Sequence, residues 1–203
     1  MSTLNKKLNK ASRLIVTILR HTASNYNLNM DSNGFIDVDS LLKIPKLKDL
    51  TIDELKNIVN NCNKKRMILK EKYGKLYIAA NQGHSIKIES EILTPITLEN
   101  FNLYKKKDIV HGTYFNVIEK IKAEGLNKME RIHIHFTTNL DVSKVVSGMR
   151  KSSEVFIFID LEKTLKDGFK FYESPNGVIL TPGDDKGFLP TKYFKKIIYR
   201  NEL

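Results

Sequence analysis

Beyond residue 100 the apolar residues of this chain fall into short runs, at 108–111, 132–136, 155–160, 169–172, 178–181 and 196–199. Each run has the length of a strand, and none approaches the roughly 20 residues a membrane-crossing helix needs. Only 114–124, with Phe115, Ile118 and Ile121, and 142–149 carry helical patterns between them. Many short strands among few helices do not make a doubly wound parallel sheet, and they predict an α+β fold.

The first half is patterned differently. Leu4, Leu8, Ala11, Ile15, Ile18 and Leu19 recur at helical spacing. They predict a helix over 4–24 with Arg20 and His21 in its last turn. The turn residues 31–34 are followed by a short strand at Phe35, Ile36 and Val38, then by a helix capped by Asp39. Thr51 and Glu54 have the spacing of a capping box and open a helix carrying Leu55, Ile58 and Val59. Residues 67–78 read as a hairpin turning at a glycine. Helix, strand, helix, helix, hairpin is the order of a winged helix. Lys64, Lys65 and Arg66 fall where its last helix meets the wing. Residues 93–96 read as the join to a second lobe, which divides the chain into 1–95 and 96–203.

The 203 residues carry 34 basic and 23 acidic side chains, a net charge of +11, spread over both halves. An evenly basic surface attracts polyanions, nucleic acid foremost. The single cysteine, Cys62, excludes an internal disulfide and a cysteine-built zinc site. The apolar stretch 14–19 is too short for a signal-peptide core, so an intracellular protein is expected, cytoplasmic or nuclear, with no membrane segment. No Walker motif, Gly-x-Gly-x-x-Gly or Gly-x-Ser-x-Gly occurs, which removes phosphate-loop, Rossmann and nucleophile-elbow readings. His133 and His135 alternate on a strand and share a face. No third ligand stands at a familiar spacing, so no metal is expected. Arg20 and Arg150 offer planar forks for phosphate oxygens. Together with His21, His84, His111, His133 and His135, they suit a phosphorylated substrate.

Seven segments carry a more specific signal: Leu19-Arg20-His21, the 31–35 turn, Asn81-Gln82-Gly83-His84-Ser85, Val110-His111-Gly112-Thr113-Tyr114, Arg131-Ile132-His133-Ile134-His135, Val146-Ser147-Gly148-Met149-Arg150 and 176–181. Their ordered set, from about residue 6 to 199, resembles the NAD-dependent RNA (tRNA) 2′-phosphotransferase family. The resemblance implies a winged-helix RNA-binding lobe and a β-rich ADP-ribosyltransferase-like lobe that binds NAD. It implies removal of an internal 2′-phosphate from a tRNA splice junction. That phosphate attacks the nicotinamide ribose of NAD and nicotinamide leaves. A neighbouring ribose hydroxyl then attacks phosphorus, releasing ADP-ribose 1″,2″-cyclic phosphate. By resemblance, Arg20, His21 and Arg150 are catalytic, and His111, Gly112, Thr113, His133 and His135 bind NAD. Gly112 would let the backbone approach the dinucleotide. Lys64, Lys65, Arg66, Gln82, His84 and Ser85 would bind RNA. A monomer is expected.

One position departs from the family pattern. Ala79 stands where an arginine precedes the Gln-Gly-His-Ser segment. An engineered substitution, a natural change offset by another basic residue, and a chain impaired in the second step all account for it. Losing a charge-assisted donor to a transition state costs on the order of 10²–10³ in rate. Two other readings use the same residues: an ADP-ribosyltransferase capping terminal phosphates of RNA or DNA, and a non-catalytic nucleic-acid-binding module.

Overall fold

The computed structural model describes residues 3–88, 92–139 and 149–202. It mixes helix and sheet, as expected, in two units, Met1–Ile92 and Leu93–Leu203. Each unit has its own apolar core.

In the first unit, α1 (Thr3–Thr17) buries Ile15 and Val16 and leans Leu8, Ala11 and Leu14 on the same core. The helix expected to reach residue 24 does not continue as one α-helix. It widens into a π-helical turn at Ile18–Thr22 and tightens into a 3₁₀ turn at Ala23–Tyr26. One local bond and one long-range bond account for this. Thr17 Oγ1 donates back to the Arg13 carbonyl at 3.0 Å, a contact that bends helices. The Arg20 carbonyl accepts the Ser85 N–H at 3.0 Å, so it is drawn out of the regular helical ladder.

β1 (Ile36–Asp37) leads directly into α2 (Val38–Leu42). The cap is Asp37, not Asp39: Asp37 Oδ2 accepts from the Ser40 N–H at 2.9 Å and from its hydroxyl at 2.7 Å. Val38 is already helical and buried, which leaves Asp39 in the first turn, where its charge suits the helix dipole. α3 (Ile52–Asn60) starts at the expected capping box. Thr51 Oγ1 accepts from the Glu54 N–H at 3.1 Å, and Glu54 Oε2 accepts from the Thr51 N–H at 2.9 Å. β2 (Met67–Lys72) and β3 (Lys75–Ala80) form the expected hairpin through Tyr73-Gly74, and the antiparallel sheet runs β1-β3-β2. Ile78 and Ala80 turn into the core, and Ala79, opposite Ile68, faces the other side of the sheet.

The second unit contains β4 (Thr94–Ile96), β5 (Ile109–Thr113), α4 (Phe115–Glu124), β6 (Leu126–Asn127), β7 (Ile134–Phe136), β8 (Val155–Ile159), α5 (Leu161–Lys166), β9 (Phe171–Glu173), β10 (Ile179–Thr181), β11 (Phe188–Leu189) and β12 (Phe194–Tyr199). All six runs picked out by their apolar residues hold a strand. The expected helix at 142–149 falls on residues 140–148, outside the described ones, apart from Met149. β4-β9-β10-β7 and β12-β8-β5 are antiparallel sheets, and β6 pairs with β11. β8 is buried at all five positions because it is the middle strand of its sheet. Val155, Ile157 and Ile159 fill one apolar cluster, and Phe156 and Phe158 fill another with Val110 and Met149. Val110 and Thr137 exchange N–H···O bonds of 2.9 and 2.8 Å, which brings β5 alongside the end of β7.

Candidate functional site

In the first unit, the segment Asn81–Ser85 wraps the π-helical turn that carries Arg20 and His21. The Ser85 N–H donates to the Arg20 carbonyl at 3.0 Å, and Ser85 Oγ bonds His21 Nδ1 at 2.9 Å. Gly83 packs against the Arg20 guanidinium. A methyl group there would stand 3.3 Å from Cζ and Nε, and φ is +88°, a conformation side chains disfavour. A π-turn of this kind is frequent at functional sites, because it re-aims the side chains it carries. Two of the expected catalytic residues are therefore held by the motif expected to bind RNA.

Of that RNA-binding set, Gln82 and His84 are 2% and 3% exposed, whereas Ser85 and Lys65 are exposed. Lys64 and Arg66 are half-buried. Asn81 reaches back to the same loop: its side-chain amide donates to the Lys65 carbonyl at 2.6 Å, and its N–H donates to the Arg66 carbonyl at 3.0 Å. Ala79, two residues before, is 0% exposed.

In the second unit, β5 presents His111, Gly112 and Thr113. His111 Nδ1 lies 2.9 Å from the His135 carbonyl, with its ring edge-on to Phe136. A carbonyl only accepts, so Nδ1 carries the proton and Nε2 is the acceptor of the neutral ring. Burial holds the His111 imidazole below its usual pKa. The Arg131 charge pushes the same way, and the bond to His135 pushes against them. His133 is buried with its ring against Tyr172 at 5.9 Å, and His135 is also buried. The room that Gly112 leaves is taken by the protein itself. A methyl group there would collide with the Met149 side chain and lie 2.6 Å from Ser153 Oγ. The glycine is needed for packing, whatever else approaches it.

Arg150 is exposed at the edge of this cluster. Tyr114 hydrogen-bonds Ser152 Oγ at 2.9 Å, and that bond, with the bond and charge of Arg150, lowers the phenol pKa. Arg131 is exposed, and partial desolvation of its guanidinium, then the charge of Arg150, draws it below the usual guanidinium pKa. The charges of Arg131 and Arg150 are felt by their neighbours in this unit, and positive charge of this kind suits an anion. Arg200 fixes the connecting loop by donating to the carbonyls of Ser153 at 2.7 Å and Lys151 at 2.8 Å.

The model of the RNA 2′-phosphotransferase, Tpt1 / KptA family matches residues 6–183. This chain belongs to that family. A Schizosaccharomyces pombe protein is 42% identical over 188 residues, covering 92% of this chain and 50% of its own length. The tRNA 2′-phosphotransferase 1 of Danio rerio is 36% identical over 190 residues, 92% of this chain and 84% of the relative. The tRNA 2′-phosphotransferase of Saccharomyces cerevisiae is 34% identical over 201 residues, 95% of this chain and 84% of the relative. The chain thus spans half the length of one relative and most of the other two.

Sequence reasoning quoted Arg131 and Tyr114 only as parts of motifs and missed Ser152, Ser153 and Arg200. Arginine scarcity was the available signal: of the six arginines, Arg131 and Arg200 had no assigned role in the second half. Among the described residues no cluster of His, Cys, Asp and Glu could hold a metal ion, and no helix is long and apolar enough to cross a membrane.

Proposed function

We propose that this chain removes the 2′-phosphate from a tRNA splice junction and transfers it to NAD as co-substrate. Family membership over residues 6–183 carries the proposal. The donor set of the second unit fits a dinucleotide. Arg131 and Arg150 supply positive charge for phosphate oxygens, and His111 is a neutral ring with an acceptor nitrogen. His111, Gly112, Thr113, His133 and His135 are the residues we assign to NAD. NAD supplies a ribose that accepts the phosphate as nicotinamide leaves, with ADP-ribose 1″,2″-cyclic phosphate as the product.

The chain's own groups then have distinct tasks. Arg20, in the first unit, and Arg150, in the second, each offer a guanidinium group suited to phosphate oxygens and to negative charge that builds on them. His21, its ring fixed through Nδ1 by Ser85, holds or moves a proton there. Lys64, Lys65 and Arg66 attract the RNA backbone, with Ser85 beside it, and Gln82 and His84 shape the segment beneath. The first unit is read as a winged helix, supported by its element order and by β1 completing the hairpin sheet. The second is read as the ADP-ribosyltransferase-like lobe, supported by its antiparallel strands.

The test is incubation with a 2′-phosphorylated RNA and labelled NAD. The expected products are RNA with a free 2′-hydroxyl, nicotinamide and the cyclic phosphate. RNA that keeps its phosphate overturns the proposal. We also infer that Ala79 slows release of the cyclic phosphate relative to nicotinamide. Ala79→Arg should narrow that gap, and an unchanged ratio in folded protein counts against this part.

A further inference from the structure

The first unit holds an open pocket of about 440 Å³ between α1, α3 and the loop that follows. It is separate from the Arg20–His21 cluster: Arg20, His21, Gly83 and Ser85 do not line it. Pockets of this size hold small organic molecules or one unit of a polymer. Its chemistry narrows the choice. Lys64 and Arg66 stand on its wall, and no carboxylate is among its described lining residues. A cationic ligand is therefore disfavoured and an anionic one favoured.

The lining also carries hydrogen-bonding side chains. Asn57 and Asn61, one helical turn apart at the end of α3, bond to each other through their side-chain amides. That bond uses one donor and one acceptor of the pair. The pair keeps an amide N–H on one side chain and a carbonyl oxygen on the other. An adjacent donor and acceptor is what the edge of a nucleobase requires. Leu8 and Ile58 supply apolar surface for the flat face of a base.

The loop carrying the cations is preorganised. Lys65 has φ +40°, unusual for a residue with a side chain. Its N–H donates to the Cys62 carbonyl at 2.7 Å, and Asn81 holds its carbonyl at 2.6 Å. Strain of this kind persists only where surrounding bonds fix it, and it gathers at ligand sites.

We propose that this pocket binds one unpaired nucleotide of the RNA, other than the one that carries the reacting phosphate. Lys64 and Arg66 take the backbone phosphate, and the Asn57–Asn61 pair reads the base. The inference rests on the RNA reading above, but not on the transfer chemistry.

Cys62 lines the pocket and is the chain's single cysteine, so it reports occupancy without reference to activity. The experiment labels the full chain with a thiol reagent, with and without an unmodified single-stranded RNA decamer. Wild type should label about fivefold more slowly with the decamer and bind it measurably by fluorescence anisotropy. Asn61→Leu, which keeps the side chain's shape and removes its amide, should lose the protection and weaken decamer binding about tenfold. Asn61→Gln should retain most of both, and urea unfolding confirms that each variant folds. Turnover of a minimal 2′-phosphorylated trinucleotide should be unchanged in Asn61→Leu, while Arg150→Ala should lose turnover but keep the protection. Equal labelling with and without the decamer overturns the pocket even if wild type transfers phosphate. Equal protection by duplex DNA of the same charge also overturns it. Protection without phosphate transfer upholds the pocket and overturns the activity proposed above.

Discussion

Gly83→Ala separates two things that Gly83 does at once. Its φ of +88° imposes a backbone cost on any side chain, about 1–2 kcal/mol. Its added methyl would also press on the Arg20 guanidinium at 3.3 Å, so that group must shift by a few tenths of an ångström. Gly74 provides the control. Its φ is +72°, and nothing lies within 4 Å of an added methyl. Both variants should therefore lose similar stability. With a slope of about 2 kcal/mol per molar urea, each midpoint should fall by roughly 0.5–1 M. Only Gly83→Ala should lose activity. A misplacement of 1 Å can cost about 10²-fold, so a smaller shift of Arg20 should cost about 10-fold in kcat. The assay is steady-state release of nicotinamide from NAD with 2′-phosphorylated RNA, at a urea-free temperature where both variants are folded. Equal kcat for the two variants would refute the claim that Gly83 positions Arg20.

Other outcomes follow from the second unit and from α3. Burial holds the His111 pKa down, so below the usual histidine value of about 6.5 the unfolded chain takes up a proton that the folded chain refuses. The stability due to His111 should be complete above that pH and decline as pH falls through it, and His111→Gln should flatten this slope in urea titrations at several pH values. Arg131→Gln should raise the His111 titration midpoint followed by NMR, because one cause of its depression is removed; an unmoved midpoint contradicts the coupling. Thr51→Ala removes the hydroxyl that caps α3 and should destabilise the first unit by about 1 kcal/mol in urea, with nicotinamide release intact.

Elements announced by local chemistry were legible from the residues. The Thr51–Glu54 box, the 67–78 hairpin and the six strand-length runs depend on neighbours in sequence, and each is present. The α2 cap was misplaced because Asp37 and Asp39 carry the same side chain two residues apart. Only the burial of Val38 decides between them. The end of α1 was not legible, because a bond from Ser85, 65 residues away, sets it. The clusters themselves were legible as motifs but not as geometry. Nothing in the spacing of His111 and His135 indicates that a side chain of one bonds the backbone of the other. Tyr114, Ser152 and Arg200 matter through contacts made far along the chain, where sequence patterns are silent.

The widened turn at Ile18–Thr22 makes chain length itself part of this region's identity. In an α-helix each residue advances the helix by about 100°, so one extra residue changes the phase of all that follows. Deleting any single residue from 18 to 22 would let regular α-helix run on, yet it would rotate the upstream apolar stripe away from the downstream one. Descendants of this gene can therefore lose a codon here no more easily than they can exchange the Arg20 or His21 side chain.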